Sequence, residues 1–151
     1  MSDPARVLVT AAVLSLLTVA MLAWRAVRTS ADEPARLVGE LRLAQWTAIV
    51  LAAVGAIPVG LSLFAPAEVA SGVDAAVGIV TVGVAGFVLQ RDPREALVLL
   101  ATAFIAHALI DVAHRPGWLS PTLAPRPYVL GCAVYNVCLA AICFGVRRRP
   151  A

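Results

Sequence analysis

Residues 96–113 read ALVLLATAFIAHALIDVA, an apolar run whose only ionisable groups are His107 and Asp111, both in its second half. As a helix rising about 1.5 Å per residue it extends roughly 27 Å, close to the ~30 Å hydrocarbon core of a bilayer. Just ahead of it, Asp92-Pro93-Arg94-Glu95 supplies a helix start. The aspartate suits the cap, the proline suits the first turn, and the glutamate favours the positive end of the helix dipole. The stretch predicts a transmembrane helix.

Four further apolar runs flank it, at residues 7–24, 43–64, 69–89 and 128–146. Together they fill most of the 151 residues, which are 61% hydrophobic and 14% charged with a mean hydropathy of +0.89. Soluble domains carry roughly 45–50% apolar and about 25% charged residues. A chain this apolar has too little polar surface to cover an aqueous fold, so lipid is its solvent. The reading is all-α: a single domain over residues 1–151, a polytopic membrane bundle of five transmembrane helices. No internal repeat and no soluble domain is visible.

Details within the runs refine this picture. The first run has the form of a signal-peptide core, with Thr29-Ser30-Ala31 resembling a cleavage site. Arg25 and Arg28 intervene, however, and charge is heavier after the run than before it, which favours a retained anchor. Before the second run, Asp32-Glu33-Pro34 predicts a helix start near Pro34. Pro58 is expected to kink that helix, and Gly55 and Gly60 to let it pack closely. The third run holds Ser71, Gly72, Gly78, Gly83 and Gly86, which predicts the central helix of the bundle.

The net charge of +3 comes from arginine, since there is no lysine. Arg25, Arg28, Arg36, Arg42, Arg91, Arg94, Arg147, Arg148 and Arg149 fall on one side of the predicted bilayer, and only Arg6, Arg115 and Arg126 on the other. The positive-inside rule therefore predicts an N-terminus outside and a C-terminus in the cytoplasm. Trp24 and Trp46 at the inner boundary, and Trp118 beyond the outer one, agree with it. The expected partners are the lipid bilayer and a second copy or another membrane protein; with no basic stripe interleaved with aromatics, nucleic acid is not expected. Arginine-only, alanine-rich usage suggests a bacterium, hence a multi-pass protein of the bacterial cytoplasmic membrane.

Ionisable groups within a span cost roughly 2.5–3.5 kcal/mol each on insertion scales and call for a reason. His107, Asp111 and His114 stand at i, i+4 and i+7, on one helical face. In the predicted topology this face approaches the outer surface. Asp74 enters the third span at the same depth, and Tyr128, Tyr135 and Asn136 lie in the outer half of the fifth, with Glu68, Arg115 and Arg126 at the rim.

Three readings fit these residues. In one, His107, Asp111, Asp74, Tyr135 and Asn136 form a polar pocket for a small ligand or lipid headgroup, Asp111 orienting an imidazole. In another, His107, Asp111 and His114 bind a divalent metal such as zinc that activates water, a metal-dependent membrane enzyme. Known membrane metal sites of this kind use more histidines than the two present. In the third, the polar groups are hydrogen-bond glue between helices. The pocket is tested by whether Asp74 and Asn136 come within contact distance of His107; side chains pointing to different faces of the bundle would leave only glue. No GxSxG, P-loop or HExxH motif is present, and Ser15 and Thr18 have no base near them in sequence. Cys132, Cys138 and Cys143 share the last run at spacings that exclude a disulfide within one helix.

The segment from His107 to His114, followed by a proline-rich loop and Gly131-Cys132-Ala133-Val134-Tyr135-Asn136, resembles small bacterial integral-membrane proteins of unknown function. The resemblance covers the last third of the chain. It implies a membrane protein and transfers no activity.

Overall fold

The computed structural model describes residues 3–28, 33–64, 72–114 and 126–148. Among them the chain forms five α-helices: α1 (Asp3–Arg28), α2 (Glu33–Phe64), α3 (Gly72–Val88), α4 (Pro93–Ala113) and α5 (Arg126–Arg147). The features expected at Thr29-Ser30-Ala31, Asp32, Glu68, Ser71, Arg115, Trp118 and Arg149 lie outside the described residues, as does the side chain of Arg126. Four helices, over residues 6–28, 34–64, 93–113 and 127–147, are long and apolar enough to cross a membrane. α3 is an apolar helix of 17 residues, roughly 26 Å long. The fold is all-α, as its apolar runs require.

α2 begins at Glu33, near the predicted Pro34, so Arg36 and Arg42 lie on a helix and not in a loop. What carries the helix through this polar stretch is Glu40, only 5% exposed. Its carboxylate lies 3.9 Å from Arg36 Nε, one turn back, and 3.4 Å from Arg94 Nε on α4. Asp92 does precede α4 with Pro93 behind it, but its side chain makes no capping hydrogen bond. Instead the Asp92 carbonyl accepts the Ala96 N–H at 2.8 Å, and Glu95 pairs with exposed Arg91 at 3.7 Å. α2 continues as helix through Pro58 to Phe64.

α1 packs on α2 and α5; α2 packs on α3 and α4; α4 packs on α3 and α5. The expectation that α3 is central does not hold. α4 is the most buried of the spanning helices, and α3 buries a single stripe of Asp74, Gly78, Thr81, Ala85 and Val88. The other side of α3 is turned outward, with Ile79 62% and Val80 64% exposed. Small residues mark close approach only where a partner backbone arrives. A Cβ on Gly78 would fall 2.5 Å from the Gly55 carbonyl oxygen, and one on Gly55 would fall 2.8 Å from the Gly78 carbonyl oxygen. Gly60, Gly72, Gly83 and Gly86 face open space.

The apolar core occupies the arginine-rich half of the bundle. Val19, Ala23 and Ala26 of α1 meet Leu43, Ala48 and Leu51 of α2, Leu97, Leu100 and Phe104 of α4, and Leu139 and Cys143 of α5. On α4 the inward stripe runs Leu97, Leu100, Phe104 and then turns polar at His107, Asp111 and His114, with no break in the i, i+3/i+4 spacing. The same happens on α5, from Cys143 and Leu139 to Asn136, and on α3, from Val88 and Ala85 to Thr81 and Asp74. A dry core at one end thus gives way to a polar interior at the other.

Candidate functional site

The polar end holds an open-sided cavity of about 600 Å³ lined by residues of all five helices. Its lining combines aliphatic side chains of α1 and α2, among them Leu8, Leu16, Val54 and Ile57, with Asp74, His107, Asp111, His114, Tyr128, Tyr135 and Asn136. α1 bounds the cavity with its N-terminal half, where none of residues 6–18 is buried; Val19, Ala23 and Ala26 all lie toward its C-terminus. Leu8, Val9 and Val13 line the cavity and are also 44%, 53% and 50% exposed, so this wall abuts the surrounding lipid.

Within the cavity the ionisable groups of α4 go to separate partners. His114 Nε2 lies 2.7 Å from Asp74 Oδ1 on α3, both side chains buried. His114 Nδ1 is 2.8 Å from the Ile110 carbonyl, which only accepts, so Nδ1 carries a proton. The short contact to Asp74 then holds a further proton. The pair is imidazolium with carboxylate, or imidazole with carboxylic acid after transfer along that bond. Either form satisfies a buried aspartate that would be costly alone.

Asp111 Oδ2 accepts a hydrogen bond from Asn136 Nδ2 at 3.2 Å. Asn136 is fully buried, and its Oδ1 has no hydrogen-bond partner among the described residues. His107, 8% exposed, sits with Nδ1 3.4 Å from Thr81 Oγ1. The Thr81 hydroxyl donates to the Val77 carbonyl at 2.8 Å, so the long contact is an imidazole N–H donating to Thr81, and the lone pair of a neutral His107 resides on Nε2. Tyr135 reaches α1: its hydroxyl lies 2.6 Å from Ser15 Oγ. Ser15 donates to the Ala12 carbonyl at 2.9 Å, so Tyr135 donates to Ser15.

The residues expected to form a pocket therefore share one cavity, with pairings unlike those expected. Asp74 meets His114 and not His107, and Asn136 meets Asp111. The His107–Asp111–His114 set does not converge, and no group of three His, Cys, Asp or Glu able to hold a metal is found among the described residues. Residues i, i+4 and i+7 share a face but span two turns, so a face alone does not bring three side chains to one point. Thr81 and Ser15 are partners the sequence did not single out. Both bond their own helix backbone, so nothing in their local sequence signals a second contact across helices. Another cavity, of about 620 Å³, lies at the opposite end between α1 and α2, beside Arg25, Arg28 and Arg42, and involves none of these groups.

No protein family, curated protein or solved structure matches this chain.

Proposed function

We propose that this chain is a small multi-pass integral membrane protein that holds a small ligand or lipid in an intramembrane polar pocket facing the outer side of a bacterial cytoplasmic membrane. One observation carries the reading: a cavity of about 600 Å³ in which two aspartates, two histidines and an asparagine meet aliphatic walls. Binding sites combine an apolar lining with a few convergent polar groups in this way. Polar groups serving only as glue between helices would need no such cavity.

The outward orientation is argued from the arginines, eight of which, among the described residues, lie on the side away from the pocket. Stacks of Arg28 over Trp24, Arg91 over Phe87 and Arg148 over Phe144, at 4.3, 4.2 and 4.4 Å, support the same assignment. All three close the C-terminal ends of α1, α3 and α5, where aromatic and basic side chains anchor a helix at the headgroups. Association with a second copy or with another membrane protein is compatible with the exposed apolar helix faces. The metal-enzyme alternative gains no support from side chains that go to three separate partners.

The test is native mass spectrometry of protein taken from its own membranes, beside an Ala12→Phe variant that fills the cavity from α1. The reading expects a small molecule retained by the wild type and lost from the variant, with both equally helical. A wild type that carries nothing more than the filled variant would sink it.

A further inference from the structure

At the end of the bundle away from the polar pocket, the apolar run of α1 stops at Trp24 and that of α2 starts at Leu43. Arg25 and Arg42 are therefore the first charges beyond the hydrocarbon at this end of the two helices. A phospholipid carries its phosphate at the same level, just outside the acyl chains. Here α1 and α2 flank the second cavity, of about 620 Å³ and open on one side. Arg25 and Arg28, one turn apart on α1, line it together with Arg42 of α2. All three side chains are exposed, so an anion can reach them. Among the described residues no carboxylate lines this cavity. Glu40, which stands in the same part of α2, is turned instead to Arg36 and Arg94.

Two of the guanidinium groups are well placed for a phosphate. That of Arg28 lies over the Trp24 ring at 4.3 Å. Stacking uses the face of a guanidinium, and its N–H donors lie in the plane, where they match the oxygens of a phosphate. Arg42 makes no hydrogen bond or ion pair with any described residue. The apolar part of the lining separates a lipid from a free anion. Trp24 and Val38 are 54% and 46% exposed, and half-buried Leu22 stands six residues before Arg28, roughly 9 Å toward the hydrocarbon. An acyl chain leaving a phosphate among the arginines runs past Leu22 into the bilayer. A zwitterionic head would bring a cationic amine against the same guanidinium groups. We infer that the cavity between α1 and α2 binds an anionic phospholipid, its phosphate on Arg28 and Arg42 and its acyl chain along Leu22. The inference stands whether or not the polar pocket holds a ligand, and whichever face of the membrane the arginines meet.

The test uses the full-length protein with Trp46→Phe and Trp118→Phe, which leaves Trp24 as the single tryptophan, in vesicles of phosphatidylcholine. Phosphatidylglycerol or phosphatidylcholine with dibrominated acyl chains is titrated in, and bromine quenches the Trp24 fluorescence on contact. The inference expects the brominated phosphatidylglycerol to reach half-maximal quenching at about one tenth or less of the mole fraction that brominated phosphatidylcholine needs, the ratio for two arginines at a membrane surface. With Arg28→Gln and Arg42→Gln added, the preference falls to about one. With Arg147→Gln and Arg148→Gln, which remove the same charge from the end of α5, it stays. Equal quenching by the two lipids overturns the inference, and this comparison needs no arginine variant to fold. A preference that survives loss of Arg28 and Arg42 overturns their role. One lost equally with Arg147 and Arg148 belongs to the net surface charge and overturns the site. A preference abolished by millimolar inorganic phosphate at constant ionic strength assigns the cavity to a free phosphate and overturns the lipid.

Discussion

Asp74, His107, Asp111 and His114 at the polar end each have a partner across a helix interface, and the pairs differ in what their loss would do. Asp74 and His114 lie 2.7 Å apart with both side chains buried. Removing His114 takes its closest ionic contact from a buried aspartate, so His114→Ala is expected to cost about 3 kcal/mol in a detergent unfolding titration. Asp74→Asn combined with His114→Ala is expected to cost less than His114→Ala alone, because no buried charge remains. The Ser15–Tyr135 contact is neutral and weaker. Ser15→Ala and Tyr135→Phe are each expected to cost about 0.6 kcal/mol, and the double variant no more than either, as for one shared bond between membrane helices. The histidine face of α4 was legible in the sequence from spacing alone. Which partner each group takes was not, because that depends on how α3 and α5 are rotated, and i, i+4 periodicity carries no information on a neighbour's rotation.

At the level of the helices, the bilayer writes the fold more plainly than the packing. Apolar length marks the spanning segments, and Pro93 and the Glu33-Pro34 pair mark two starts. Glu40 gives no signal of its own because it stands in a stretch rich in arginine, and only the structure shows α4 delivering Arg94 to it. The glycines of α3 suggested a central helix, but a glycine is equally tolerated where it faces lipid. Gly55 and Gly78 are distinguished by each having the other's carbonyl at hand. Gly78→Val is therefore expected to destabilise the protein by about 1–3 kcal/mol, the range for overpacking. Gly83→Ala and Gly86→Ala, with open space around both, are expected to be neutral or slightly stabilising in the same titration.

For the molecule as a whole, the arginine distribution and the arginine–aromatic stacks make one face of the bundle basic and the other pocket-bearing. The proposed orientation, with the C-terminus in the cytoplasm, expects a C-terminal green fluorescent protein fusion to fluoresce and a C-terminal alkaline phosphatase fusion to be inactive in bacterial cells. The reverse pair of results would invert the pocket to the inner side. The division into a dry half and a polar half also has a geometric consequence. Gly78 lies one turn of α3 from Asp74 in one direction and from Thr81 in the other. Its backbone is stopped against Gly55, while Asp74 and Thr81 reach out to His114 and His107. The glycine pair therefore acts as a gauge block: it sets the height of α3, and the spans to both histidines are read off that single setting. A side chain wedged in at position 78 would lift both contacts at once, so the tightest point of the packing and the polarity of the pocket rise or fall as one dimension.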